Sequence, residues 1–231
     1  MTDFPQTQWS QILALQANRD GANSAARHRE LMEALLQQYW PAVYHYVRAL
    51  GRGSAADAED TTQQFFTAFI ERDDLQKLSV DRGTFRGFLK TAVKHFFISQ
   101  IRSEASRNRT LTFAAAEKSW CNAPLHDPEQ AFDREWVRLV LDEAIGLLKS
   151  EMQHDGDEQG FAIFEAYCLS DDSEVSYQSL SQRYKQNLDG IRNGLRSTRQ
   201  RLRRILRERL REYVGPEGDV ETELRFIVEG L

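Results

Sequence analysis

Three rows of side chains in this sequence have types and spacings suited to recognition rather than to making or breaking bonds. In the first, Asp60, Gln63, Gln64 and Thr67 lie on the outer side of a helix whose apolar stripe is Ala58, Phe65, Phe66, Phe69 and Ile70. A carboxylate and amides shown together, instead of alternating Lys and Glu, make a surface fit to be hydrogen-bonded by a partner. Ser54 is placed to cap this helix, with Asp57 three residues on. In the second row, Arg86, Lys90 and Lys94 stand four apart, across from an apolar face of Phe85, Leu89, Val93 and Phe96. Phe88, His95, Phe97 and Arg102 accompany them, and cations mixed with rings suit the phosphates and unstacked bases of a single strand. An amphipathic core helix with a solvated lysine face has the same pattern. In the third row, Asp189, Arg192, Asn193 and Arg196 lead a long helix after the N-cap Asn187. Arg pairs with guanine and Asn with adenine, whereas Arg199, Arg201 and Arg203 further along suit phosphates. A basic helix that merely solvates a bundle or complements a helix dipole is the plainer alternative.

Bond chemistry finds no comparable footing. Gly51-Arg52-Gly53-Ser54 lacks the Lys-Ser/Thr end of a phosphate loop, and no strand precedes it. The five histidines include no His-x-x-x-His pair, and Asp73-Asp74 and Asp171-Asp172 are sequence neighbours whose side chains diverge. Cys121 and Cys168 are too few and too far apart for a disulfide framework or a zinc site. The expectation is a protein that is not an enzyme and carries no metal or cofactor.

The elements that must hold these rows read as helices throughout. In 231 residues there are only five prolines and thirteen glycines, with long stretches of Leu, Ala, Arg, Glu and Gln. A short lead helix is expected at 8–15, with Trp9, Ile12 and Leu13 on its apolar side. A helix over 25–51 follows, with Leu31, Leu35, Tyr39, Val43, Tyr46, Val47 and Leu50 in phase and Pro41 predicted to kink or break it. Residues 111–128, without a period and ending between Pro124 and Pro128, read as a linker. A helix over 129–152 carries Phe132, Trp136, Val140, Ala144 and Leu148, and a shorter one follows around Phe161 and Phe164. Tyr177–Tyr184, a turn at Lys185-Gln186 and the basic helix 188–213 have the plan of a helix-turn-helix. The acidic-apolar tail, 216–231, is expected to fold back on that helix and mask Arg199 to Arg211 in the free protein.

Charge is segregated behind a net value of -5. Eleven basic against two acidic residues lie between Arg183 and Arg211, and eleven acidic against four basic between Leu111 and Gly160. No apolar run approaches the ~20 residues of a membrane span and no leader pattern opens the chain, so a cytoplasmic setting is expected.

The order Asp57-Ala58-Glu59-Asp60-x-x-Gln63 before an aromatic run, then Phe85-Arg86-x-Phe88-Leu89 and a trailing Arg cluster, resembles region two of bacterial RNA polymerase sigma factors. The likeness is to the sigma-70 group with two conserved regions, the extracytoplasmic-function type. Ile191-Arg192-Asn193-x-Leu195 and Arg199-x-x-Leu202-Arg203 are similar to region four of the same family. The chain has Phe88 where the family has Trp, His95 where it has Asn and Ser99 where it has Asp. The resemblance implies an all-α protein of two small helical domains, a region-two-like one over 25–110 and a region-four-like helix-turn-helix one over 129–215. It implies core RNA polymerase as partner, with Asp57, Asp60, Gln63, Gln64 and Thr67 toward the beta-prime clamp and the C-terminal domain on the beta flap. Promoter DNA is the other partner. Arg86, Phe88, Lys90, Lys94, His95, Phe97 and Arg102 would hold the melted minus-ten strand. Asn187, Arg192, Asn193, Arg196, Arg199 and Arg203 would meet the upstream element. An anti-sigma factor stays open. Two other classes remain: a helix-turn-helix regulator acting without core polymerase, and a protein-binding decoy that has lost promoter reading.

Overall fold

The computed structural model describes residues 22–50, 54–77, 84–107, 127–170, 175–214 and 219–229, and its regular structure is entirely helical. Among these residues are eight α-helices: α1 (Ala22–Ala49), α2 (Ala55–Glu71), α3 (Phe85–Arg107), α4 (Pro128–His154), α5 (Glu158–Phe164), α6 (Tyr177–Tyr184), α7 (Leu188–Val214) and α8 (Val220–Glu229). The lead helix expected at 8–15 lies outside the described residues, as does the linker apart from its last two positions. The chain divides into two compact units: residues through Leu139 together with Arg211 onward, and Val140–Leu210. These divisions fall inside α4 and α7.

In the first unit the apolar stripes of α1, α2 and α3 meet. Leu35, Tyr39, Val43, Tyr46 and Val47 are buried from α1, Phe65, Phe66 and Phe69 from α2, and Phe85, Leu89, Val93 and Phe96 from α3. Phe65 lies within ring contact of Phe66, Phe69 and Phe96, so one aromatic ring ties α2 to α3. Tyr39 meets Phe85 edge-on at 4.9 Å, and Trp40 stacks on Phe66 at 5.5 Å. Burial, with Glu129 and Asp127 nearby, pushes the Tyr46 hydroxyl up to about 12. Of the kink or break expected at Pro41, the break does not occur, because α1 continues through it. An interior proline removes one backbone donor and crowds the preceding turn; here the buried neighbours Ala42 and Val43 hold the helix together across it.

In the second unit, Ala144, Leu148 and Met152 of α4, Phe161, Ile163 and Phe164 of α5, Leu180 of α6, and Ile191, Leu195, Ile205, Leu206 and Leu210 of α7 are buried. Asp157 caps α5, accepting from the Gly160 N–H at 3.1 Å. Ser176 and Ser179 form a reciprocal capping box at the start of α6. That helix ends on Lys185, whose φ of 51° is left-handed, a conformation glycine adopts more easily than lysine. Asn187 then caps α7, its side-chain oxygen accepting from the Gly190 N–H at 2.7 Å.

Candidate functional site

The acid-amide row stands on a helix with a well-made start. Ser54 accepts from the Asp57 N–H at 3.3 Å while the Asp57 carboxylate accepts from the Ser54 N–H at 2.6 Å and the Ser54 hydroxyl at 2.9 Å. These bonds hold the Asp57 carboxyl below the usual aspartate range. Asp57, expected in the partner-facing row, is therefore engaged in capping its own helix, although it is exposed. Asp60, Gln63, Gln64 and Thr67 are all exposed. Gln64 accepts from Gln100 of α3 at 3.3 Å, and the Thr67 hydroxyl donates to the Gln63 carbonyl at 2.9 Å.

The stripe beneath them differs from the expected one at two positions. Thr62 is fully buried, its hydroxyl donating to the Ala58 carbonyl at 2.7 Å, which a polar/apolar reading passes over because the bond is made within the helix itself. Ile70, assigned to the core, is instead 47% exposed. It lies three residues beyond Thr67, so it continues the outer row, and with Met32, Leu36, Trp40 and Pro41 it lines an open groove of about 760 Å³.

Two of the three cations on α3 that were read as a strand-binding row are engaged by acids of the protein itself. The Arg86 guanidinium donates from Nη1 to Asp133 Oδ1 at 3.0 Å and from Nη2 to both Glu223 carboxylate oxygens at 2.9 Å. Its Cζ also lies over two neighbouring rings, 4.4 Å from the Trp136 centroid and 4.6 Å from that of Phe226. Lys90 donates to both oxygens of Asp133, at 3.0 and 2.9 Å. The Arg86 and Lys90 side chains keep only 14% and 20% of their exposure. Lys94 is open by comparison and has a loose pairing with Glu129 at 3.8 Å. Among the expected ring partners, Phe97 is buried at 6% against Phe96, so it offers no face to a base. Phe88 is half-buried, edge-on to Phe69, while His95 and Arg102 are exposed.

Sequence reasoning missed Asp133, Trp136, Glu223 and Phe226 as parts of this centre. The signal was their sign and type: an acidic start to α4 and an acidic-apolar tail are what a face bearing Arg86, Lys90 and Lys94 attracts. The tail was assigned to the arginines of α7; its Glu223 is found on Arg86.

On α7 the arginines fall into two sets. Arg201 pairs with Asp155, just past the end of α4, at 2.7 Å, while Arg204 pairs with Glu151 and Arg209 with Glu143 at 2.9 Å, both acids of α4. Much of the charge segregation in the sequence is thus helix-to-helix pairing, and Arg201, expected at phosphates, is already occupied. Arg192, Arg196, Arg199 and Arg203 lie four, three and four residues apart on an exposed stripe with Asn193 beside them. Arg196 and Arg203 have no partner among the described residues. Arg192 lies 5.9 Å over Tyr177 and Arg199 lies 5.7 Å over Tyr167, and these two tyrosines stack at 4.9 Å. The hydroxyl-bearing pair was not singled out in the sequence, where the two lie ten residues apart. Asn187, expected at DNA, uses its side-chain oxygen as the cap of α7.

Residues 35–107, from the second half of α1 to the end of α3, match the family model described as Sigma-70 region 2. This match supports a sigma factor of the sigma-70 family. A region 2 domain implies binding to core RNA polymerase and a part in promoter recognition and melting, and factors of this family are transcription initiation factors rather than enzymes. No curated protein and no solved structure matches the chain. Both the acid-amide row and the three cations of α3 lie inside the region 2 segment, whereas Asp133, Trp136, Glu223 and Phe226 lie beyond it. Among the described residues no cluster of His, Cys, Asp and Glu suits a metal, and no helix is long and apolar enough to cross a membrane.

Proposed function

We propose that the chain is a sigma factor of the extracytoplasmic-function type, which docks on the beta-prime clamp of core RNA polymerase through α2. The observation that carries this reading is the exposed row Asp60, Gln63, Gln64 and Thr67 within the region 2 segment, ending in an exposed Ile70 beside an apolar groove. A polar row with an apolar end is the usual make-up of a specific protein interface. Arg86, Lys90, Lys94, His95 and Arg102 hold the minus-ten strand, with Phe88 as the available ring. The α6–turn–α7 segment acts as a helix-turn-helix on the minus-thirty-five element. Arg192, Asn193 and Arg196 face the bases, and Arg199 and Arg203 face the phosphates.

Gel filtration with purified core polymerase, followed by run-off transcription, tests the proposal. Co-elution that is lost in Asp60→Arg, with specific starts from the wild-type mixture, is the expected result. Separate elution at low salt refutes it. The exposed arginine stripe of α7 also favours a second reading, a regulator that binds DNA by itself. Duplex binding by the free chain without co-elution would select that one.

A further inference from the structure

The centre around Arg86 contains an arrangement that core packing alone does not require. Asp219 caps α8, accepting from the Glu221 and Thr222 N–H groups at 3.0 and 3.3 Å, and bonds with the Thr222 hydroxyl hold its carboxyl below the usual range. The helix that follows turns Glu221, Thr222 and Arg225 to solvent and buries Glu223, Leu224 and Ile227. It thus brings inward one carboxylate and, three residues on, the ring of Phe226. Both land on the same guanidinium: the Glu223 carboxylate accepts from it at 2.9 Å, and the Arg86 Cζ lies over the Phe226 ring, 4.6 Å from the centroid. An anion that accepts its N–H groups and an aromatic ring face beneath its charge are the two things a single strand brings to an arginine, as a phosphate and a base.

The charges complete the picture. With Glu223 in place, Asp133 and Glu223 balance Arg86 and Lys90. With Glu223 withdrawn, one positive charge is left open on a guanidinium still backed by Trp136. We infer that α8 is an intramolecular occupant of the strand-binding face, with Glu223 standing where a phosphate would sit and Phe226 where a base would stack. The free chain is thereby held closed toward single-stranded nucleic acid, and the strand and α8 exclude one another on Arg86. This rests on the reading of α3 as the strand-binding face.

The test uses the full chain and a fluorescein-labelled oligo-dT of twelve nucleotides at low salt. Apparent affinity is reduced by the fraction of open molecules, so Glu223→Gln should tighten binding about tenfold over wild type. Glu221→Gln, an equal charge change on the outer face of the same helix, should stay within about twofold, and Arg86→Ala combined with Glu223→Gln should abolish the gain. A second measurement needs no variant. On the wild-type chain, saturating oligonucleotide should speed amide exchange across 220–229 while slowing it across 85–97.

The inference is overturned if Glu223→Gln binds no better than Glu221→Gln, if no form binds the strand, or if exchange across 220–229 is unchanged or slowed at saturation. These outcomes separate from the fate of the sigma reading. Co-elution with core polymerase alongside an unchanged Glu223→Gln affinity removes the occupant role alone. A tenfold gain without co-elution removes the sigma factor and keeps the competition.

Discussion

Breaking the Arg86–Glu223 contact provides the sharpest physical test of how unit one is held together. A solvated surface pair couples by only about 0.2–1 kcal/mol, because water screens the charges and the long side chains lose freedom. Here the two side chains are 14% and 12% exposed, and the guanidinium reaches both carboxylate oxygens. Removing one member of a fully buried pair costs about 3–5 kcal/mol. The residual exposure lowers that figure, so Glu223→Ala should cost about 2 kcal/mol, with Asp133 still bonded to the guanidinium. Arg86→Ala should cost about 3–4 kcal/mol, since it also removes cation contacts to Trp136 and Phe226 worth about 0.5–1 kcal/mol each. In the double variant no unpaired charge remains at that contact, and the coupling energy should be about 2 kcal/mol. Urea titrations followed by the Trp136 indole N–H resonance measure it, because that ring packs against Arg86 and so reports on its own unit. A coupling below about 0.5 kcal/mol would show that the pair behaves as an ordinary surface contact, and the burial argument would fail with it.

Other consequences are independent of that centre. Lys185→Gly should stabilise unit two by about 1 kcal/mol, since it relieves a left-handed backbone at the end of α6; an unchanged or lower urea midpoint contradicts this. Arg203→Ala should lower the salt slope of duplex binding by about one, while Arg201→Ala leaves it unchanged because Asp155 already neutralises that side chain; equal slopes in both variants refute the distinction. The Ser54–Asp57 cap needs an ionised carboxylate, and its pKa is depressed in the folded state. The cap's contribution is therefore present above the ordinary aspartate range and lost as pH falls through the depressed value. A carboxyl carbon titration of Asp57 with its midpoint at or above that of an unstructured aspartate would contradict that sign.

Much of the site's local architecture was legible in the sequence. Ser54-x-x-Asp57 and Asn187 act on backbone groups three residues away, and helical geometry fixes those distances whatever the rest of the chain does. The faces of α2 and α3 followed for the same reason, since an apolar side chain every third or fourth residue must go inward. Ile70 and Phe97 mark where that reasoning stops. Both lie near the edge of a stripe, and which edge is covered depends on the neighbour that arrives there, not on the helix itself.

The sequence by itself determined that the described residues are helical, that Ser54 and Asn187 cap α2 and α7, and that charge is segregated into acidic and basic stretches. Those properties are set by interactions reaching only a few residues along the chain. Which cation meets which acid was decided by the tertiary structure alone. Arg86 finds Asp133 and Glu223, 47 and 137 residues away, while Arg201, Arg204 and Arg209 find Asp155, Glu151 and Glu143 in and just after α4 and leave Arg196 and Arg203 in water. Coulomb attraction carries no sequence address: any of the eleven basic residues of 183–211 could have taken the tail's carboxylate, and only the packing of Leu224 and Ile227 brought Glu223 to Arg86 instead.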